Sequence, residues 1–360
     1  MFEIGKVGLI IGEEENVNGN KIDVIKRVSG YGKDFYTEIV RADGLQDVCS
    51  LNETSFACKN NDKIQIVAFG GNRCTTDENV LKLKEVVKTI FSQRVLKSQV
   101  PNPKINVTTI GYQSSPLLND GDMIRREYVE PLREFTKRIF NIDGTIDDIK
   151  NRASNTILFS HCVGGECLNM VIDSLENALY AKGASREDVD EILNSLIAIN
   201  YANYLPDWGE SCSKIPCVNL FQAHDMQNDG AKFMNMNDVY KSDKKKLEGI
   251  KKRCRDYDGL PMVRELSRWN GMIIWTNENQ KTLNITLDRL KRTNSHCHSP
   301  SDLIYDDNHT EVLHNFLSVF KTWVDEVMSG KHGSETKVAV LKHKLESNGL
   351  GLRKQEGLEM

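Results

Sequence analysis

The chain has 360 residues, of which 39% are hydrophobic, 27% charged and 7% aromatic, enough apolar material for a large core and against wholesale disorder. At about 100–200 residues per domain it makes one large domain or two ordinary ones. Lys and Arg number 47 against 51 Asp and Glu, a formal net charge of −4, so there is no basic excess and nucleic acid is not the expected partner.

The nine cysteines, at positions 49, 58, 74, 162, 167, 212, 217, 254 and 297, include no CxxC pair. Their odd number and loose spacing point away from a zinc knuckle and from a complete disulfide framework. The opening MFEIGKVGLIIGEEENVNG has one short apolar run at 7–11, without the basic start and long apolar stretch of a signal peptide. That run reads as a first buried strand ending at Gly12. No stretch approaches the roughly 18 apolar residues of a membrane span. The expected setting is the cytoplasm, or secretion without a classical signal peptide, including delivery to a host cytosol. A bacterial effector is the impression left by the Asn- and Lys-rich composition.

In chain order, residues 12–62 are polar and read as an antiparallel hairpin with loops. Residues 64–69 (IQIVAF) form a strand closed by Gly70-Gly71-Asn72, and 77–93 show helical spacing through Val80, Leu83, Val86, Val87 and Ile90. A β-branched strand at 105–110 ends at Gly111. A long amphipathic helix follows at 122–140. Residues 156–159 are the next strand and 166–181 the next helix. Further buried strands fall at 196–199, 217–221 and 272–275, and a closing helix at 310–328. Strand and helix alternating at this spacing, with strands apolar throughout, imply an α/β fold: a doubly wound, mostly parallel sheet with helices on both faces. The expected organisation is a single domain over 1–330, with an irregular segment at 12–62, a lid-like insertion at 226–270 and a flexible tail at 331–360. The insertion contains the basic run Lys241, Lys244, Lys245, Lys246, Lys251, Lys252 and Arg253, most simply a solvated helix face.

The most informative stretch is Ile157-Leu158-Phe159-Ser160-His161-Cys162-Val163-Gly164-Gly165. A buried strand runs into a turn of small residues around a nucleophile and then into a helix. This resembles the nucleophile elbow of the α/β-hydrolase superfamily, usually G-x-S-x-G. Ser160 stands at the first glycine, Cys162 at the serine and Gly164 at the second glycine. A sharp strand-to-helix turn strains the central residue and needs small neighbours two positions away. The helix N-terminus favours an anion, hence a thiolate at Cys162. His161, just before the nucleophile, is read as lining the pocket rather than as the base.

The resemblance covers about residues 60–328 in layout and implies the remaining roles. Phe69-Gly70-Gly71-Asn72 occupies the place of the family's oxyanion loop, with Phe69 where a His is usual. Gly70, Gly71 and Val163 would then be the oxyanion donors. The family order of nucleophile, acid and base puts the acid in the loop after strand 217–221, at Asp225 with Asp229 as the substitute. It puts the base in the loop before the last helix, at His298, with His309 and His296 as alternatives. His296 and His298 could instead hold a metal, but spacing marks no third ligand. No metal or cofactor is expected.

The expected function is that of a hydrolase or acyltransferase acting on an ester or thioester, of the lipase, esterase or thioesterase kind, through an acyl-cysteine. The partner is a small-molecule or lipid acyl substrate; a thiolate also permits peptide or isopeptide cleavage in a protein substrate. Two other readings stand beside it. One is a cysteine peptidase on another α/β scaffold, such as a caspase-like one, against which the missing His before Gly70 counts. The other is an inactive interaction protein that kept the fold.

Overall fold

The computed structural model describes residues 8–17, 19–31, 34–41, 46–50, 56, 64–71, 74–91, 93–95, 98–100, 105–112, 121–201, 214–222, 267–269, 272–276, 281–287, 311–328 and 337–350. The strands are β1 (Gly8–Val17), β2 (Asn20–Tyr31), β3 (Asp34–Arg41), β4 (Gln46–Ser50), β5 (Ile64–Phe69), β6 (Gln93–Val95), β7 (Ser98–Val100), β8 (Ile105–Tyr112), β9 (Thr156–His161), β10 (Ile197–Tyr201), β11 (Cys217–Gln222), β12 (Ser267–Trp269), β13 (Met272–Thr276) and β14 (Thr282–Leu287). The helices are α1 (Asp77–Phe91), α2 (Gly121–Phe140), α3 (Ile146–Ser154), α4 (Gly164–Ala181), α5 (Arg186–Ser195), α6 (Glu311–Met328) and α7 (Lys337–Leu345).

Among the described residues, twelve strands make one sheet in the order β12-β13-β14-β11-β10-β9-β5-β8-β1-β2-β3-β4, and β6-β7 is a separate ribbon. From β8 through β5, β9, β10 and β11 to β14 every neighbour is parallel. The wings are antiparallel. The doubly wound α/β expectation therefore holds, with its parallel strands in the helix-covered middle of the sheet.

The alternation of side chains along the strands divides the core in two. Ile66, Phe159, Ile199 and Val218 face α1, α6 and α7, where Val87, Phe320, Trp323 and Leu341 are buried. Val67, Leu158 and Ala198 face the other way, toward Leu132 of α2, Ile149 of α3, Leu168 and Leu175 of α4 and Ile192 of α5. Each such buried aliphatic side chain is worth about 1.5–3 kcal/mol over its exposed state. The chain leaves β5 through α1 on the first face and reaches β8 on one side. It leaves β9 through α4 on the second face and reaches β10 on the other side. Right-handed crossovers in opposite directions must use opposite faces. The strand order thus reverses between β5 and β9, and the loops after these two strands part above the carboxyl edge, where open sheets bind ligands.

The structure corrects several boundaries. The first strand does not end at Gly12. A side-chain carbon there would lie 2.8 Å from both Val80 Cγ1 and Thr109 Oγ1, so Gly12 marks where α1 and β8 close onto a strand that continues to Val17. Residues 12–62 hold the expected antiparallel hairpin, but it extends into the four-stranded meander β1–β4. Its charges are paired across strands and helices. Buried Lys26 meets Glu13 at 2.8 Å and Glu15 at 2.9 Å, and Lys88 of α1 reaches Glu14. The helix after β9 begins at Gly164 rather than at 166. Helices α3 and α5 were not anticipated, although each opens on a reciprocal capping box, Thr145 with Asp148 and Ser185 with Asp188.

The tail is also corrected. Residues 337–350 are ordered structure: Val338, Leu341, Leu345 and Leu350 pack into the first core beside Trp323, whose Nε1–H donates to the Lys337 carbonyl at 2.7 Å. The helical spacing of Val338, Leu341 and Leu345 was present in a stretch otherwise polar enough to read as a tail. Most of the lid-like insertion at 226–270, with its basic run, lies outside the described residues.

Candidate active site

The site is built where β9 meets α4. Ile157 and Phe159 bury into one core and Leu158 into the other, which carries the strand straight to its tip. There Cys162 adopts a φ of 54°, in the left-handed region. A residue with a side-chain carbon loses energy there, about 1–3 kcal/mol, and keeps the conformation only when its surroundings fix it. Asn141, the other non-glycine residue with positive φ among those described, is of a type that tolerates it. Cysteine is not. The Cys162 N–H donates to the Tyr201 carbonyl at 3.3 Å, and the Cys162 carbonyl accepts from the Gly165 N–H at 3.3 Å. The turn is thus tied to the next strand on one side and to the helix on the other.

Gly164 is forced by proximity. A side-chain carbon on it would sit 2.5 Å from the Phe69 carbonyl oxygen and 2.8 Å from that of Gly70. Gly71 is equally constrained, since its added carbon would lie 2.8 Å from His161 Nδ1 and 3.0 Å from Cys162 Cβ. The two glycine turns predicted from separate parts of the sequence are therefore in contact. His161 leans on Gly71 and lies near Tyr201, with ring centroids 6.0 Å apart.

The donors sort differently from the sequence expectation. The Gly70 N–H is donated to the Ile110 carbonyl at 2.9 Å and is not available to a ligand. This corrects Gly70 as an oxyanion donor, because the strand pairing between β5 and β8 extends one residue past Phe69. Among the described residues no acceptor meets the N–H of Gly71 or that of Val163. Val163 caps α4 without a side-chain hydrogen bond, so the helix N-terminus opens on the Cys162 side.

Ser160 replaces the expected glycine with a purpose. Its hydroxyl donates to Asn200 Oδ1 at 2.5 Å, and Asn200 Nδ2 donates to Asn219 Oδ1 at 2.9 Å and to Cys217 Sγ at 3.0 Å. Ser160, Asn200 and Asn219 are in register across β9, β10 and β11 and are buried. A polar row in a dry layer is tolerated because its members satisfy one another, and it fixes the relative heights of three strand tips. The sequence signal was visible: Asn200 and Asn219 are amides inside otherwise apolar strands.

Burial pushes the thiols of Cys74 and Cys167 up to about 12, so they stay protonated and weakly nucleophilic near neutrality. The expected acid, Asp225 or Asp229, and the expected base, His298, His309 or His296, lie outside the described residues. Among the described residues no group of three His, Cys, Asp or Glu side chains could hold a metal ion, and no helix is long and apolar enough to cross a membrane.

No protein-family model and no curated protein matches the sequence. Among solved structures the chain is similar to an esterase from Pyrobaculum calidifontis, with 8% identity over 90% of this chain and 86% of that one and a TM-score of 0.36. It is similar to esterase 2 of Thermogutta terrifontis, with 7% identity over 94% of each chain and a TM-score of 0.32. A dienelactone hydrolase from Anabaena variabilis gives 10% identity over 64% of this chain and 81% of that one, with a TM-score of 0.23. Likenesses this distant carry no argument about chemistry. The strained cysteine and the two opposed glycine turns are the chain's own.

Proposed function

We propose that the protein is a hydrolase or acyltransferase of the α/β-hydrolase type, acting on an ester or thioester through an acyl-Cys162 intermediate. The observation that carries the reading is the φ of 54° at Cys162 on a strand-turn-helix at the switch point of the sheet. Strain of this kind persists where it serves presentation of a side chain. A structural cysteine in an ordinary turn has no use for it.

In the proposed cycle the Cys162 sulfur attacks the acyl carbonyl, and the carbonyl electron pair moves onto oxygen. Val163 and Gly71 N–H groups hold that oxyanion; each such donor is worth about 3 kcal/mol in the transition state. His298 takes the thiol proton and passes it to the leaving alkoxide or thiolate as the tetrahedral intermediate collapses. Asp225 orients the imidazole. Water, or an acceptor hydroxyl, amine or thiol, then attacks the acyl-cysteine with His298 again as base, and the thiol is restored.

Turnover of p-nitrophenyl acetate tests the reading. Cys162→Ala should abolish it, and His298→Ala should lower it at least about a hundredfold, the scale of a lost general base. Turnover unchanged in Cys162→Ala would remove the proposal.

A further inference from the structure

Gly70 donates its N–H to β8 and so cannot serve the oxyanion, yet its carbonyl oxygen has an unusual partner. The hydroxyl of Tyr112, the last residue of β8, donates to the Gly70 carbonyl at 3.1 Å. The same residue's backbone N–H donates to the Cys74 carbonyl at 2.8 Å, while the Cys74 N–H donates to the Gly71 carbonyl at 2.9 Å. Tyr112 therefore grips the glycine turn at both ends. The Cys167 thiol in the first turn of α4 lies beside the same ring. One fully buried side chain thus joins β8, the turn after β5 and the helix behind the nucleophile.

The Gly70–Gly71 peptide is trans, so its C=O and N–H point in opposite directions. Fixing the carbonyl toward Tyr112 fixes the Gly71 N–H away from it. Gly71 itself abuts Cys162 and His161. A hydrogen bond into the carbonyl also polarises the amide and strengthens its N–H as a donor. We propose that Tyr112 is a positioning residue for acyl transfer: through the Gly70 carbonyl it sets the direction and strength of the Gly71 N–H as an oxyanion donor. This deepens the acyl-transfer reading of the same site and rests on it. The hydroxyl is suited to the task because it stays protonated: burial, first of all, holds its pKa well above the ordinary tyrosine value. Tyr128 packs edge-on against it, with centroids 5.5 Å apart, and fixes the ring.

Two reactions of Cys162 separate this role from general support of the fold. Hydrolysis of p-nitrophenyl acetate develops an oxyanion, whereas alkylation by iodoacetamide does not. Tyr112→Phe should lower kcat for the ester about tenfold, part of the hundredfold or more that loss of a whole donor costs, with KM within twofold. Its rate of Cys162 alkylation should match the wild type. Tyr128→Phe, the same deletion one ring away, should change neither rate. If Tyr112→Phe keeps full kcat, or loses ester turnover and alkylation in equal proportion, the positioning role is overturned. Ester turnover that survives Cys162→Ala would instead overturn the acyl-transfer reading itself, so the two failures are distinguishable.

Discussion

Cys162 concentrates the argument in one torsion. At a φ of 54° a side-chain carbon is a liability that glycine does not carry. Cys162→Gly should therefore be more stable than Cys162→Ala by about 1 kcal/mol, read as a difference in urea midpoint at constant slope. Equal stabilities would mean that the turn stores no strain. The motif around Cys162 was legible because a strand-to-helix turn is a local matter: its small residues stand within two positions of the nucleophile. The neighbouring roles were not local. Gly70 reads from sequence like Gly71, and only the pairing of β5 with β8 shows that its N–H goes to Ile110. Tyr112 closes an ordinary β-branched strand in the sequence. Its importance arises from a carbonyl 42 residues away.

At the scale of elements, the sheet middle was readable because apolar strands and amphipathic helices carry their periods openly. The ends of the chain were not, because there charge and burial coexist. β1 passes its glutamates to Lys26 and Lys88, and α7 buries three apolar residues between polar ones. Lys337, at the start of α7, shows what docking this helix costs. Its ammonium donates to the Ser195 carbonyl without a carboxylate partner among the described residues, and burial pulls its pKa down to about 8 from the ordinary 10.5. Below pH 8 the lysine is charged in both the folded and unfolded states, so its burial penalty is constant there. Between about 8 and 10.5 the unfolded chain holds the proton more tightly, so stability rises with pH through that window and levels off above it. Thermal melts across that range should show this rise as a contribution that Lys337→Met removes. The same variant should melt higher than wild type at pH 7, because a methionine leaves no charge to bury. A Lys337→Met protein with the wild-type pH dependence would show that the α7 contact carries no such penalty.

For the whole molecule, the doubly wound order matters more than any motif, since it brings the β5 and β9 turns to one edge from stretches of sequence about 90 residues apart. Gly164 against the Phe69 and Gly70 carbonyls is the physical seam between them. The acid and base were placed by chain order alone, because a loop residue two strands away leaves no local signature. Asp225 and His298 thus stand as part of the proposal rather than of the described site. A near-neutral chain agrees with a site made of backbone dipoles and one thiol. The central claim is a covalent acyl group on one of nine cysteines. Its most direct measurement is intact and peptide mass after brief acid quenching of a reaction with p-nitrophenyl acetate. A single acetyl group is expected on the peptide containing Cys162, absent from Cys162→Ala and accumulating in His298→Ala if deacylation slows more than acylation. An acetyl group spread over other cysteines and lysines, and unchanged in Cys162→Ala, would contradict it.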